Sequence, residues 1–119
     1  DRAYYYPYPM ELSLLQEAAA AVAQNTDFKA FSKKNTQVHH YECRIISSEW
    51  SADGHVWRYR VTGNRFLRGM VRGLVGTMLR VGAQKMSVDE FKEVLQSGDM
   101  TRVDFSVPAQ GLTLMAVNF

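Results

Sequence analysis

Three arginines, at 65, 68 and 72, stand three and four residues apart within GNRFLRGMVRGLVG, residues 63–76. Read as a helix over Asn64–Val81, this spacing puts them on one side with Arg80. Planar, permanently charged guanidinium groups there suit phosphate or carboxylate acceptors. No acidic residue follows any of them four positions later. Phe66, Leu67, Met70, Val71, Leu74, Val75 and Met78 fill the opposite side. Gly69, Gly73 and Gly76 lie on or beside the cationic side, and each costs about 1 kcal/mol relative to alanine in a helix. That cost is reasonable where another chain or a nucleic-acid backbone must come close. The plainer alternative is a solvated basic face.

The remaining polar residues offer no reaction by themselves. GLVG matches the GXXG of KH domains only formally, because there the motif is a loop and here it falls inside a predicted helix. Asp27, Asp53, Asp89, Asp99 and Asp104 each sit where a turn, hairpin or helix end would use them. Glu42 could pair with Arg44 or Arg58. No serine, cysteine or histidine lies in a nucleophile motif, and no glycine-rich strand-to-helix loop cradles a phosphate. Cys43 is the single cysteine, which excludes an intrachain disulfide and points to a reducing, cytoplasmic compartment. His39 and His40 are adjacent and would point to opposite faces of a strand, so no zinc-ligand spacing exists.

The 119 residues fit one domain; 46% are apolar and 22% charged, a globular balance, and a net charge of +2 is too small to name a partner. No apolar run approaches the roughly 20 residues of a membrane span. The chain opens on Asp1 and runs directly into DRAYYYPYP, as a piece of a longer protein would.

The elements that must hold the arginines follow from periodicity. AYYY, residues 3–6, reads as an extended segment stopped by Pro7 and Pro9. MELSLLQEAAAAVAQ, residues 10–24, is a helix closed by Asn25 and Thr26, and TDFKAFSKK is a turn anchored by Phe28 and Phe31. QVHHYECRIISS alternates: His39, Tyr41, Cys43 and Ile45 share one face, and His40, Glu42 and Arg44 the other. Asp53-Gly54 signals a hairpin into HVWRYRVTG, where Trp57, Tyr59 and Val61 oppose Arg58, Arg60 and Thr62, predicting a polar, basic outer face. Ser87 with Glu90 forms a capping box for a helix running to Ser97 and stopped by Gly98. A polar stretch over 99–106 leads to VPAQGLTLMAVNF, whose closing strand is apolar on both faces and is expected in the middle of a sheet. The order predicts an α+β fold, a mainly antiparallel sheet with helices packed on one face.

VTGNRFLRGMVRGLVGTMLRVG resembles the helix signature of tRNA pseudouridine synthases of the TruA type, roughly GN-x-FLR-x-MVR-x-x-VG-T-x-L-x-VG. TDFKAF, FKEVLQSGD and VPAQGLTLMAVNF fall in the family's order, so the resemblance covers nearly the whole chain. It implies a pseudouridine synthase-like half domain over residues 1–119 and an isomerase that works without a cofactor. An aspartate of the N-terminal half acts on a uridine flipped out of the anticodon arm of tRNA, in homodimers whose subunits each have two α+β halves around a cleft. The aspartate's segment, like G-R-T-D-x-G-V-H-A, does not occur here, nor does the family's active-site tyrosine. The implied identity is therefore a C-terminal half, inactive alone. Residue by residue, Arg72 corresponds to the arginine that pairs with the catalytic aspartate. Arg65 and Arg68 would serve the RNA backbone or a neighbouring acidic group. Leu112 and Leu114 would line the uracil pocket or be ordinary core leucines. Arg58 and Arg60 would touch tRNA or be covered by the absent half. A non-catalytic RNA-binding module of the same fold is the alternative.

Overall fold

In a computed structural model, which describes residues 10–32, 40–53, 56–106 and 112–118, the alanine-rich run forms α1 (Leu12–Ala23). Its alanines let it lie close to its neighbours, and Leu15, Ala18, Ala19 and Val22 are fully buried. The TDFKAF segment makes a short 3-10 turn, Lys29–Phe31. Phe28 and Phe31 anchor it in the core, and Phe31 meets Phe91 edge to face.

Strands β1 (Ile45–Asp53) and β2 (Val56–Gly63) pair antiparallel, with Asp53 opposite Val56, as the hairpin signal requires. The turn residues 54 and 55, like the predicted extended segment at 3–6 and His39, lie outside the described residues. The first strand starts later than the alternation over 37–48 suggests. Residues 41–43 instead run beside 26–28, where Cys43 donates its N–H to Thr26 O at 2.9 Å and Phe28 donates to Tyr41 O at 3.0 Å. Sidedness survives this change of partner: Cys43 and Ile45 are buried, whereas Glu42 and Arg44 are exposed. The pairing register shifts between Ile45 and Ser47, a bulge that leaves Ile46 60% exposed. Along the outward edge of β1, the Gln16 amide accepts from Trp50 N at 3.1 Å and donates to Trp50 O at 2.7 Å. It satisfies backbone groups that a further strand would otherwise seek.

The closing strand β3 (Leu112–Asn118) does not take the central position expected of it. It runs parallel to β2 in the order β1-β2-β3, at the edge of the described sheet. Leu114 and Met115 are 38% and 48% exposed, so apolar character on both faces reflects surface left open within these residues. The sheet is thus mixed, with one antiparallel and one parallel pairing, in the α+β class. Helix α1 packs on β1, and Trp50 and Tyr59 stack at 5.1 Å beneath the helical layer.

The arginine-rich run departs most from its sequence reading. Helix α2 spans Met70–Gly82, so Arg65 and Arg68 precede it instead of sharing a stripe with Arg72. Gly69 is the reason: at φ 76° it takes the left-handed conformation that starts the helix afresh. Upstream, Asn64 brackets Arg44, donating its N–H to Arg44 O at 3.0 Å and accepting Arg44 N at 2.7 Å. Nor is α2 amphipathic with a broad polar side. Arg72 and Arg80 are its only exposed residues.

The helix's other glycines explain this burial. A Cβ on Gly73 would come within 2.8 Å of the Phe105 ring and 2.9 Å of Val103, and one on Gly76 would overlap the carbonyl oxygen of Asp104. The close approach is therefore made by the chain's own segment 103–106. Helix α3 (Val88–Ser97) follows, with Ser87 Oγ accepting from Glu90 N at 3.0 Å and Gly98 left-handed at its end.

Gly76→Ala should destabilise the protein by about 2–3 kcal/mol, because a methyl group there separates two backbones. Gly98→Ala, whose Cβ meets only Lys29 Cδ at 3.6 Å, should cost about 1 kcal/mol from its positive φ alone. Urea unfolding of both variants checks the order; equal losses would dismiss the close approach as the reason for Gly76.

Candidate functional site

Arg72 lies in the first turn of α2, exposed, on a helix otherwise buried along most of its length. A cation at that end opposes the helix dipole, so helix stability does not account for it. Its charge instead adds to the positive end of the helix dipole, making the local field attractive to an anion. The backbone beneath it is held from the next residue onward, because Gly73, Gly76 and Thr77 all engage segment 103–106. Arg72 is therefore a charge on a fixed mount.

Arg65, half-buried, works within the chain. Its Nη1 donates to His40 O and Glu42 O, both at 3.1 Å, and lies 3.3 Å from His40 Nδ1. These bonds tie the 40–42 segment to the run leading into α2. Arg68 is exposed on the same connecting run. The structure therefore separates the three arginines into a tether, an exposed cation and a helix-mounted cation.

Arg58 and Arg60 occupy the sheet face away from the helices, as alternation predicts. That face is mixed in charge and not simply basic, because β1 sets Glu49 across from Arg60 and places Asp53 within 3.6 Å of Arg58. Asp53, and not Glu42, is thus the carboxylate beside Arg58. Both groups of this pair are exposed, so it contributes little to stability. Glu49, Ser51, Arg58, Arg60 and Met115 line a shallow depression of about 280 Å³. Leu112 opens β3 opposite Trp57, and Leu114 follows opposite Tyr59.

The aspartates and the thiol have local employment. Asp27 accepts from Lys29 N, Asp99 from Thr101 N and Oγ1, and Asp104 from Ser106 N and Oγ. The Thr101 bonds hold the Asp99 carboxyl below its ordinary range. Burial pushes the Cys43 thiol up, against smaller opposing effects of Arg65 and the Leu67 backbone. Cys43 Sγ rests 3.8 Å from Met70 Sδ. Burial likewise raises the Tyr59 phenol, whose oxygen is bonded to Ser48 Oγ at 2.6 Å. Sequence reasoning missed Thr77: this buried hydroxyl sits between α2 and segment 103–106, and a threonine among apolar helix residues was its only signal.

Against known proteins, the profile of the tRNA pseudouridine synthase family matches residues 18–119. A tRNA pseudouridine synthase A of Bacteroides fragilis is 36% identical over 112 residues, 93% of this chain and 44% of that protein. The Porphyromonas gingivalis protein of the same name is 38% identical over 110 residues, 91% of this chain and 44% of its own length. That of Streptococcus thermophilus is 35% identical over 119 residues, 98% and 48% respectively. The chain spans a little under half the length of these relatives.

The burial of Cys43 has a direct readout. The thiol is buried and its raised pKa leaves less thiolate at pH 8, so alkylation of the folded chain should be much slower than of the urea-unfolded chain. Equal rates, followed by mass spectrometry, would show an accessible thiol instead.

Proposed function

The chain belongs to the tRNA pseudouridine synthase family, of the TruA type, and on that premise we propose that it is the C-terminal part of an enzyme isomerising uridine to pseudouridine in the anticodon arm of tRNA. In this reading the N-terminal part supplies the catalytic aspartate, and the present chain alone does not turn over. The reaction is an internal rearrangement: the C1′–N1 bond of a flipped-out uridine breaks, the uracil turns, and C5 bonds to C1′. C5 loses its proton and N1 ends protonated, so atoms balance without a cofactor. Extruding the base costs a few kcal/mol, which contacts to the RNA must offset.

The observation that carries this reading is Arg72, an exposed arginine at the positive end of a helix buried along most of its length. A carboxylate brought opposite it would be held ionised and in place. Arg68 and the pair Arg58 and Arg60 are assigned to the tRNA backbone. Leu112 and Leu114 are assigned to the uracil pocket, supported by the exposure of Leu114 at the sheet edge. Arg65 contributes by tethering the run before α2, and its remaining donors face the same RNA. A cytoplasmic homodimer of the full-length enzyme completes the proposal.

In the full-length protein, Arg72→Ala should reduce pseudouridine formation in an anticodon-arm substrate by at least a thousandfold, with tRNA affinity falling less than tenfold. Near-normal turnover would remove Arg72 from the active site. An unsubstituted full-length protein that binds tRNA without turnover would instead identify a non-catalytic RNA-binding module. Arg58→Ala combined with Arg60→Ala should lower the salt slope of tRNA binding by about two if each arginine meets a phosphate. An unchanged slope would assign both to the contact with the N-terminal part.

A further inference from the structure

We propose that Thr77 is a positioning residue for the reaction, locking α2 to segment 103–106 so that the helix end carrying Arg72 is held in place; this rests on the role given to Arg72 above. Thr77 is fully buried. Its hydroxyl donates to Gly73 O at 2.7 Å and accepts the Asp104 N–H at 3.1 Å. A valine would fill the same volume without a polar atom, so the hydroxyl is explained by the second bond. Asp104 N–H lies where Gly76 admits the loop backbone against the helix, and no water-filled space is needed to satisfy it.

The segment so captured is itself rigid. Asp104 Oδ1 accepts both Ser106 N at 2.9 Å and Ser106 Oγ at 2.6 Å, while Val103 and Phe105 close over Gly73. Its contacts with α2 include Gly73, the residue after Arg72. Thr77 thus sits at the joint between the helix that carries the guanidinium and the loop that backs it. Displacement of about 1 Å of such a group costs up to about a hundredfold in rate. A slip at this joint would shift the guanidinium while leaving the core assembled.

The test uses the full-length protein. Thr77→Val should lower kcat for pseudouridine formation about tenfold or more, with KM for tRNA within about twofold, and Thr77→Ser should restore it by retaining the hydroxyl. Asp104→Ala keeps the backbone N–H that Thr77 accepts but removes the two bonds that brace the segment at Ser106, and should lower kcat in the same sense. The proposal is overturned by an unchanged kcat in Thr77→Val, by a parallel change in KM, or by a serine variant no better than valine. Should Thr77→Val not fold, an unchanged kcat in Asp104→Ala overturns it alone. Absence of turnover in the unsubstituted protein sinks the functional reading and not the joint. Amide exchange at Asp104 then decides: protection lost in Thr77→Val but kept in Thr77→Ser supports the joint, and rapid exchange in the unsubstituted protein removes it.

Discussion

Two stretches of backbone meet without side chains between them where Gly76 of α2 faces the carbonyl of Asp104, and much of the architecture depends on that approach. It turns a helix that could have had a wet side into one buried nearly all round. Val103 and Phe105 reach the space above Gly73 because the contact brings them down. Thr77 then has an amide to bond instead of an empty pocket. With that side closed, the two arginines are the positions at which α2 reaches solvent. The composition of the helix is accordingly dictated by its own chain: glycine where the loop lies, aliphatic residues toward α1 and the sheet, arginine at the remaining openings.

Much of the fold was legible because local signals agreed with tertiary ones. The Ser87–Glu90 cap, the Gly98 stop, the alternation of β2 and the Asp53-Gly54 turn signal all describe geometry within a few residues, and α3 and the hairpin follow them. Failures occurred where the partner was remote. Alternation over 37–48 marks an extended chain with a buried side, but cannot say that 41–43 run beside 26–28 while pairing with β2 begins at Ile45. The apolar pattern of β3 says that both faces meet something other than water; it does not say that the described chain leaves Leu114 and Met115 open.

The site shows the same division. That the arginines matter, and that glycines among them imply a close approach, could be read directly. Which backbone approaches could not, because segment 103–106 is a polar stretch with no periodicity of its own. The wheel that aligned Arg65 and Arg68 with Arg72 assumed one continuous helix, and a single left-handed glycine broke it. Charge on the outer sheet face was misjudged for a similar reason. Arg58 and Arg60 were visible along one strand, whereas Glu49 and Asp53 reach them only through the register of the neighbouring one.

The amide of Gln16, clipped to Trp50 like a fragment of one more strand, gives the sheet a handed asymmetry of opportunity. Any strand arriving on the β1 margin must first evict a side chain and lift the helix that bears it. The β3 margin carries no comparable guard among the described residues. Growth of this sheet, by another part of the same polypeptide or by another molecule, is thereby opposed at the β1 margin.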